Sequence, residues 1–142
     1  MYFSLFLSTA EDAVTRELVA ATLCNISVDR YARILMIDMG VVNVLATLSG
    51  TTSGLIQELC AKCICNLTCS IESHNILIEH HILQIIIMIA LLRAVAPSTK
   101  LLCARSLLNL TNEANYEALA DAGSIRIYAT LSGAYVLLLN IS

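Results

Sequence analysis

Four of the six cysteines fall within ten residues, in CAKCICNLTC (60–69). Cys60 and Cys63 have the C-x-x-C spacing used by zinc sites, iron–sulfur sites and redox pairs. With Cys65 and Cys69 added, the stretch offers four thiolates to a soft metal. The surrounding residues are helix formers, and a helix changes this arithmetic. Cys60 and Cys63 lie about one turn apart, but Cys65 is about 200° around the helix from Cys63, at roughly 100° per residue. An unbroken helix cannot turn all of them onto one tetrahedral ion. Packing is therefore the favoured reading, because free cysteine behaves as a small, readily buried hydrophobe. No metal and no cofactor are expected. A metal- or redox-responsive protein using Cys60, Cys63, Cys65 and Cys69 remains the alternative. His80 and His81 add little to it, since they sit at a helix junction and are expected to be exposed turn residues.

Other chemistry is thinly represented. There is no Gly-rich phosphate loop, no H-E-x-x-H and no G-x-S-x-G. Asp38, Glu79 and Asp121 recur at one register, as surface positions of helices do, and no enzymatic activity is expected. The 142 residues are 58% hydrophobic and 13% charged, against about 25% charged in ordinary soluble domains. Net charge is −3 and no Lys/Arg cluster exists, which argues against nucleic acid as a partner. Residues 82–92, ILQIIIMIALL, are apolar but too short to cross a bilayer, which takes about 20 residues. A buried core helix is expected there, and a membrane-associated helical protein is a further alternative. The N-terminal MYFSLFLSTA lacks the basic start of a signal peptide. Six reduced cysteines suit the cytoplasm or nucleus.

The elements that must position these residues repeat. CNIS (24–27), CNLT (65–68), LNLT (108–111) and LNIS (139–142) carry Asn25, Asn66, Asn109 and Asn140, spaced by 41, 43 and 31 residues. MIDMGVV (36–42), LIEHHIL (77–83) and LADAGSI (119–125) form a second marker in phase with the first. Periods near 40 to 47 belong to stacked helical repeats. Each repeat divides into three helices: 29–38, 41–49 and 55–67; then about 70–79, 82–93 and 99–110; then about 112–121 and 124–132. Asp29 is an expected N-cap and Pro97 an expected helix start. A helix over 9–26, capped at Thr9, closes an incomplete first repeat. The divisions are 1–27, 28–69, 70–111 and 112–142, within one domain.

The pattern L-x-D/E-x-G, a short apolar helix, a loop, then A-x-x-x-L-x-N-L-S/T resembles the armadillo repeat of the β-catenin and importin-α type. The resemblance covers about residues 10–142. It implies an all-α armadillo-type α-solenoid, a right-handed superhelix of about three three-helix repeats with incomplete ends. It also implies a concave groove, lined by the third helices, that binds an extended segment of a partner protein. By motif match the groove residues are Asn25, Asn66 and Asn109, with Asn140 less clear, and the basic Lys62 and Arg105 one turn earlier. The absence of Trp speaks against a basic nuclear-localisation peptide. The resemblance to β-catenin-like arrays, whose basic groove residues grip acidic, extended partners, implies such a partner for Lys62 and Arg105. The same asparagines could instead cap or bridge helix ends. The N-x-S/T triplets recur because the repeat recurs, so they are not read as glycosylation sites.

The last interval is short: AYVLLLNIS (134–142) replaces a full third helix. Solenoids need polar capping repeats. The expectation is therefore a fragment of a longer array, or a shortened final repeat, with self-association through apolar ends as the other outlet.

Overall fold

The computed structural model describes residues 12–92 and 95–131, and these are helical, with no strand among them. The helices are α1 (Ala13–Ile26), α2 (Arg30–Asp38), α3 (Val41–Ser49), α4 (Gly54–Thr68), α5 (His74–Glu79), α6 (Ile82–Leu91), α7 (Pro97–Leu110), α8 (Tyr116–Asp121) and α9 (Ser124–Leu131). Asn140, the segment 134–142, the N-terminal MYFSLFLSTA and the proposed cap at Thr9 lie outside the described residues.

Local chemistry sets most boundaries. The Asp29 carboxylate accepts from the Ala32 amide at 2.8 Å and starts α2. Ser53 does the same for α4 through the Ile56 amide. Pro97 opens α7 at a position where its missing N–H costs nothing. Asp12 caps α1 through the Val14 amide, so this helix starts later than the expected residue 9.

Two expected helices are also shorter than the sequence suggests. Over 70–79 and 112–121 the chain first makes 3-10 turns, Ile71–Ser73 and Glu113–Asn115, before α5 and α8 begin. Ser73 and Asn115, at those junctions, are buried and polar. Asn115 Nδ2 donates to Leu110 O at 3.2 Å, which ties the turn back to the end of α7. Helix α6 ends at Leu91 rather than residue 93, and α7 starts at Pro97 rather than 99.

The aligned turn positions share one backbone geometry. Gly40, His81 and Gly123 have φ of 85°, 66° and 81°. The left-handed conformation lets a short helix end and the next leave at a steep angle. Helices α2 and α3 meet at 84°, and the Ile71–Glu79 segment and α6 at 81°. His81 is the one non-glycine residue with positive φ among those described, and there a Cβ costs about 1 kcal/mol. His81→Gly is therefore expected to raise stability by about 1 kcal/mol in urea titrations, because His81 is exposed and has no side-chain hydrogen bond among the described residues.

Packing follows the same period. Helices α1, α4 and α7 lie side by side, with α4 in the middle. Helices α3, α6 and α9 form a second row behind them. The core runs between the rows and includes Ile37, Leu45, Leu48, Ile64, Leu67, Leu77, Ile86, Ile89, Leu107 and Ile127, each under 2% exposed. Burying such a side chain stabilises by about 1.5–3 kcal/mol. Helix α6, the apolar stretch at 82–92, is part of that core, and no single helix among the described residues is long and apolar enough to cross a membrane.

Candidate partner-binding face and its hydrogen-bond relay

Helix α4 turns the cysteines in different directions. Cys60 and Cys63 face the core and are fully buried, Cys65 is half-buried, and Cys69 is exposed at the helix end. Cys63 Sγ lies 3.7 Å from Leu23 O, in the seam between α1 and α4. Burial pushes the Cys60 thiol up to about 11 and those of Cys63 and Cys103 up to about 12. Such thiols carry almost no thiolate at neutral pH, and thiolate is the form that binds metal or attacks. Among the described residues no three His, Cys, Asp or Glu side chains converge on a point that could hold an ion. His80 and His81 are both exposed at the turn.

The asparagines have specific work inside the chain. Ser27 Oγ donates to Cys24 O at 2.6 Å, which uses its only proton. The hydroxyl oxygen must then accept, and Asn66 Nδ2 donates to it at 3.0 Å. One period later Thr68 Oγ1 donates to Cys65 O at 2.9 Å and accepts from Asn109 Nδ2 at 3.1 Å. The same Nδ2 lies 3.4 Å from Cys65 O and 3.6 Å from Cys69 Sγ. The hydroxyl's role fixes which end of each amide is nitrogen. Helices α4 and α7 thus each insert an asparagine into the Ser/Thr of the helix before it. The N-x-S/T spacing is the spacing of this relay: the Asn reaches back and the Ser/Thr receives the next Asn.

Asn25 is exposed and its side chain has no hydrogen bond among the described residues. Asn66 and Asn109 are half-buried, and their amide oxygens have no protein partner among the described residues. Of the two readings of these asparagines, bridging is realised at Asn66 and Asn109. What remains for a ligand there is the oxygen of each and, at Asn66, the second N–H of the amide.

The two cations differ. Lys62 Nζ lies 3.1 Å from Glu58 Oε1, an i,i+4 pair on the exposed side of α4. Arg105 is exposed on α7 and has no ion pair among the described residues. It stands between Leu101 and Leu108, which are 56% and 71% exposed. At i−4, i+3 and i+4, Leu101, Leu108 and Asn109 share a helix face with it. The same side of the row carries Leu18 of α1 and Leu55 of α4, both exposed.

A second ladder escaped the sequence reading. Arg33 Nε donates to Ser27 O at 2.7 Å, its Nη2 to Val28 O at 3.0 Å, and its Nη1 to Ser70 Oγ at 3.3 Å. One period later His74, 3% exposed, meets Thr68 O through Nε2 at 2.7 Å and Asn112 Nδ2 through Nδ1 at 3.4 Å. A carbonyl only accepts, so Nε2 carries the proton. Arg33 and His74 occupy one register, as do Ser70 and Asn112. Each joins the end of one third helix to the start of the next unit. Arg30 reinforces the first joint, with Nη2 2.8 Å from Glu72 Oε1. That contact holds the Glu72 carboxyl below its ordinary range. Arg and His differ in size and charge, so the period alone did not mark them as equivalents.

Comparison with known proteins finds no matching family model, no similar curated protein and no similar solved structure.

Proposed function

We propose that the chain is an armadillo-type α-solenoid acting as a non-enzymatic scaffold. An extended, acidic segment of a partner protein would lie across the exposed face of α1, α4 and α7. Six free thiols suit such a scaffold in the cytoplasm or nucleus. The observation that carries the reading is Arg105: an exposed cation with no ion pair among the described residues, between two exposed leucines and beside the unpartnered oxygen of Asn109. A carboxylate with an apolar neighbour, on a strand-like segment, matches that set. Asn66 and Asn109 each use an N–H internally, and their oxygens would accept from the partner's backbone amides. Asn25 keeps both functions.

Magnitudes limit the contribution of charge. Two exposed ion pairs contribute about 0.2–1 kcal/mol each, and a micromolar complex needs about 8 kcal/mol. The leucines therefore have to supply much of the affinity. The test uses a fluorescein-labelled peptide in which Asp and Glu alternate with Leu, followed by anisotropy. Lys62→Glu with Arg105→Glu is expected to weaken binding roughly tenfold or more, with the far-UV circular dichroism unchanged. Equal affinity for the variant and the original chain would exclude this face as the site.

A further inference from the structure

We infer that copies of this chain associate head to tail, the α9 edge of one copy seating on the α2–α3 edge of the next. This concerns the two edges of the helix rows, shares only Asn25 with the peptide face, and does not depend on peptide binding.

The internal joints show what each edge is shaped to receive. Second-row helices stack on one another, α3 on α6 and α6 on α9. Val42 and Leu45 of α3, and Leu83 and Ile86 of α6, are at most 3% exposed. Their aligned counterparts on α9, Ile125 and Tyr128, are 73% and 41% exposed. Along the row of α1, α4 and α7 the contrast runs the other way along the chain. Leu67 and Leu110 are fully buried, whereas their counterpart Ile26 is 44% exposed. Ile26 lines an apolar recess of about 300 Å³ with Leu35, Met39, Val41 and Val44. Leu35 and Met39 are 62% and 72% exposed. Among the described residues, one edge therefore lacks what the other presents, and both are apolar.

The polar groups match as well. Asn25 is the one asparagine of the described row with no hydroxyl to enter. Thr111, the counterpart of Ser27 and Thr68, is exposed and donates to Leu107 O at 2.9 Å, which leaves its oxygen able to accept. Head-to-tail stacking brings Asn25 of one copy to Thr111 of another and continues the relay. The second ladder continues too. The registers of Arg33 and Ser70 recur at Tyr116, which can donate, and at Asp29, which can accept. An interface between two different surfaces does not close on itself unless the rotation forms a ring, so a series of oligomers follows.

The experiment is analytical ultracentrifugation of the full chain over a wide range of concentration, with two single variants. Leu35→Glu spoils the receiving edge and Ile125→Glu the inserting edge, and both positions are exposed, so melting curves should stay unchanged. The unaltered chain is expected to show a concentration-dependent series beyond the dimer. Each variant alone should associate roughly tenfold more weakly or worse. An equimolar mixture of the two should form dimers and stop there, since each supplies the edge the other lacks. A chain that stays monomeric throughout, or stops at a dimer, overturns the inference, as does a mixture that fails to pair. The monomeric result would assign the recess to other residues of the same chain.

Discussion

Above about pH 9 the folded chain is expected to lose stability steeply, and the main cause is three buried thiols, with the half-buried Cys24 and Cys65 raised in the same direction by burial. Cys60 is pushed up to about 11, and Cys63 and Cys103 to about 12, from an ordinary value of 9.0. Burial disfavours the thiolate, so the folded state keeps these protons while the unfolded chain releases them. Their stabilising contribution is complete below pH 9. It falls as pH rises from 9 toward 11 and 12, where the folded thiols also ionise. Within that window three groups give a slope of about 4 kcal/mol per pH unit. Total stability of about 5–15 kcal/mol is then exhausted within a few pH units. Circular dichroism against pH measures the midpoint. Cys60→Ala combined with Cys63→Ala removes two of these thiols and should lower the slope by about 2.7 kcal/mol per unit. A slope unaffected by the double substitution would mean that the thiols are not the groups responsible.

The second large effect separates asparagines that look alike in sequence. Asn66→Ala and Asn109→Ala each remove the donor to a hydroxyl whose own proton is already engaged. Leaving such a group unsatisfied costs about 1–3 kcal/mol, with half-buried sites toward the lower end. Asn25→Ala removes no internal bond and is expected to stay within about 0.5 kcal/mol. Urea unfolding of the three variants checks the ordering. Equal losses at all three positions would contradict it. The two classes also differ in the proposed functions: Asn25→Ala should weaken association between copies while leaving the melting temperature where it was.

Much of the helical layout was legible in the sequence because it rests on local chemistry. Asp29 and Pro97 start helices through backbone rules that need no tertiary context. The turn at Gly40, His81 and Gly123 was marked by two glycines, and the period carried the inference to a histidine. The divergent directions of Cys60, Cys63 and Cys65 were legible from helix geometry; Cys60 and Cys63 pack in the core, whereas Cys69 is exposed at the helix end. What the sequence left open depends on direction and on partners across helices. The period marks Asn66 and Asn109 as equivalent, but not whether their amides point to a ligand or into the preceding helix. The answer lay in Ser27 and Thr68, whose spacing was visible but whose role requires two helices side by side. The 3-10 turns before α5 and α8 depend on the polar junction residues Ser73 and Asn115, which period alone does not reveal. Glu58 stands four residues before Lys62, so that ion pair was open to a sequence reading. It makes Arg105 the stronger candidate of the two cations.

The asparagines of α4 and α7 are each bonded to the Ser/Thr of the preceding helix. A double-mutant cycle on Asn66→Ala and Ser27→Ala, read by urea unfolding, tests this directly, because the cycle isolates the pair from other effects of each substitution. The relay predicts a coupling of about 1 kcal/mol, with the double variant little worse than either single one. Additive losses, with coupling indistinguishable from zero, would contradict it and return Asn66 to the role of a free groove residue.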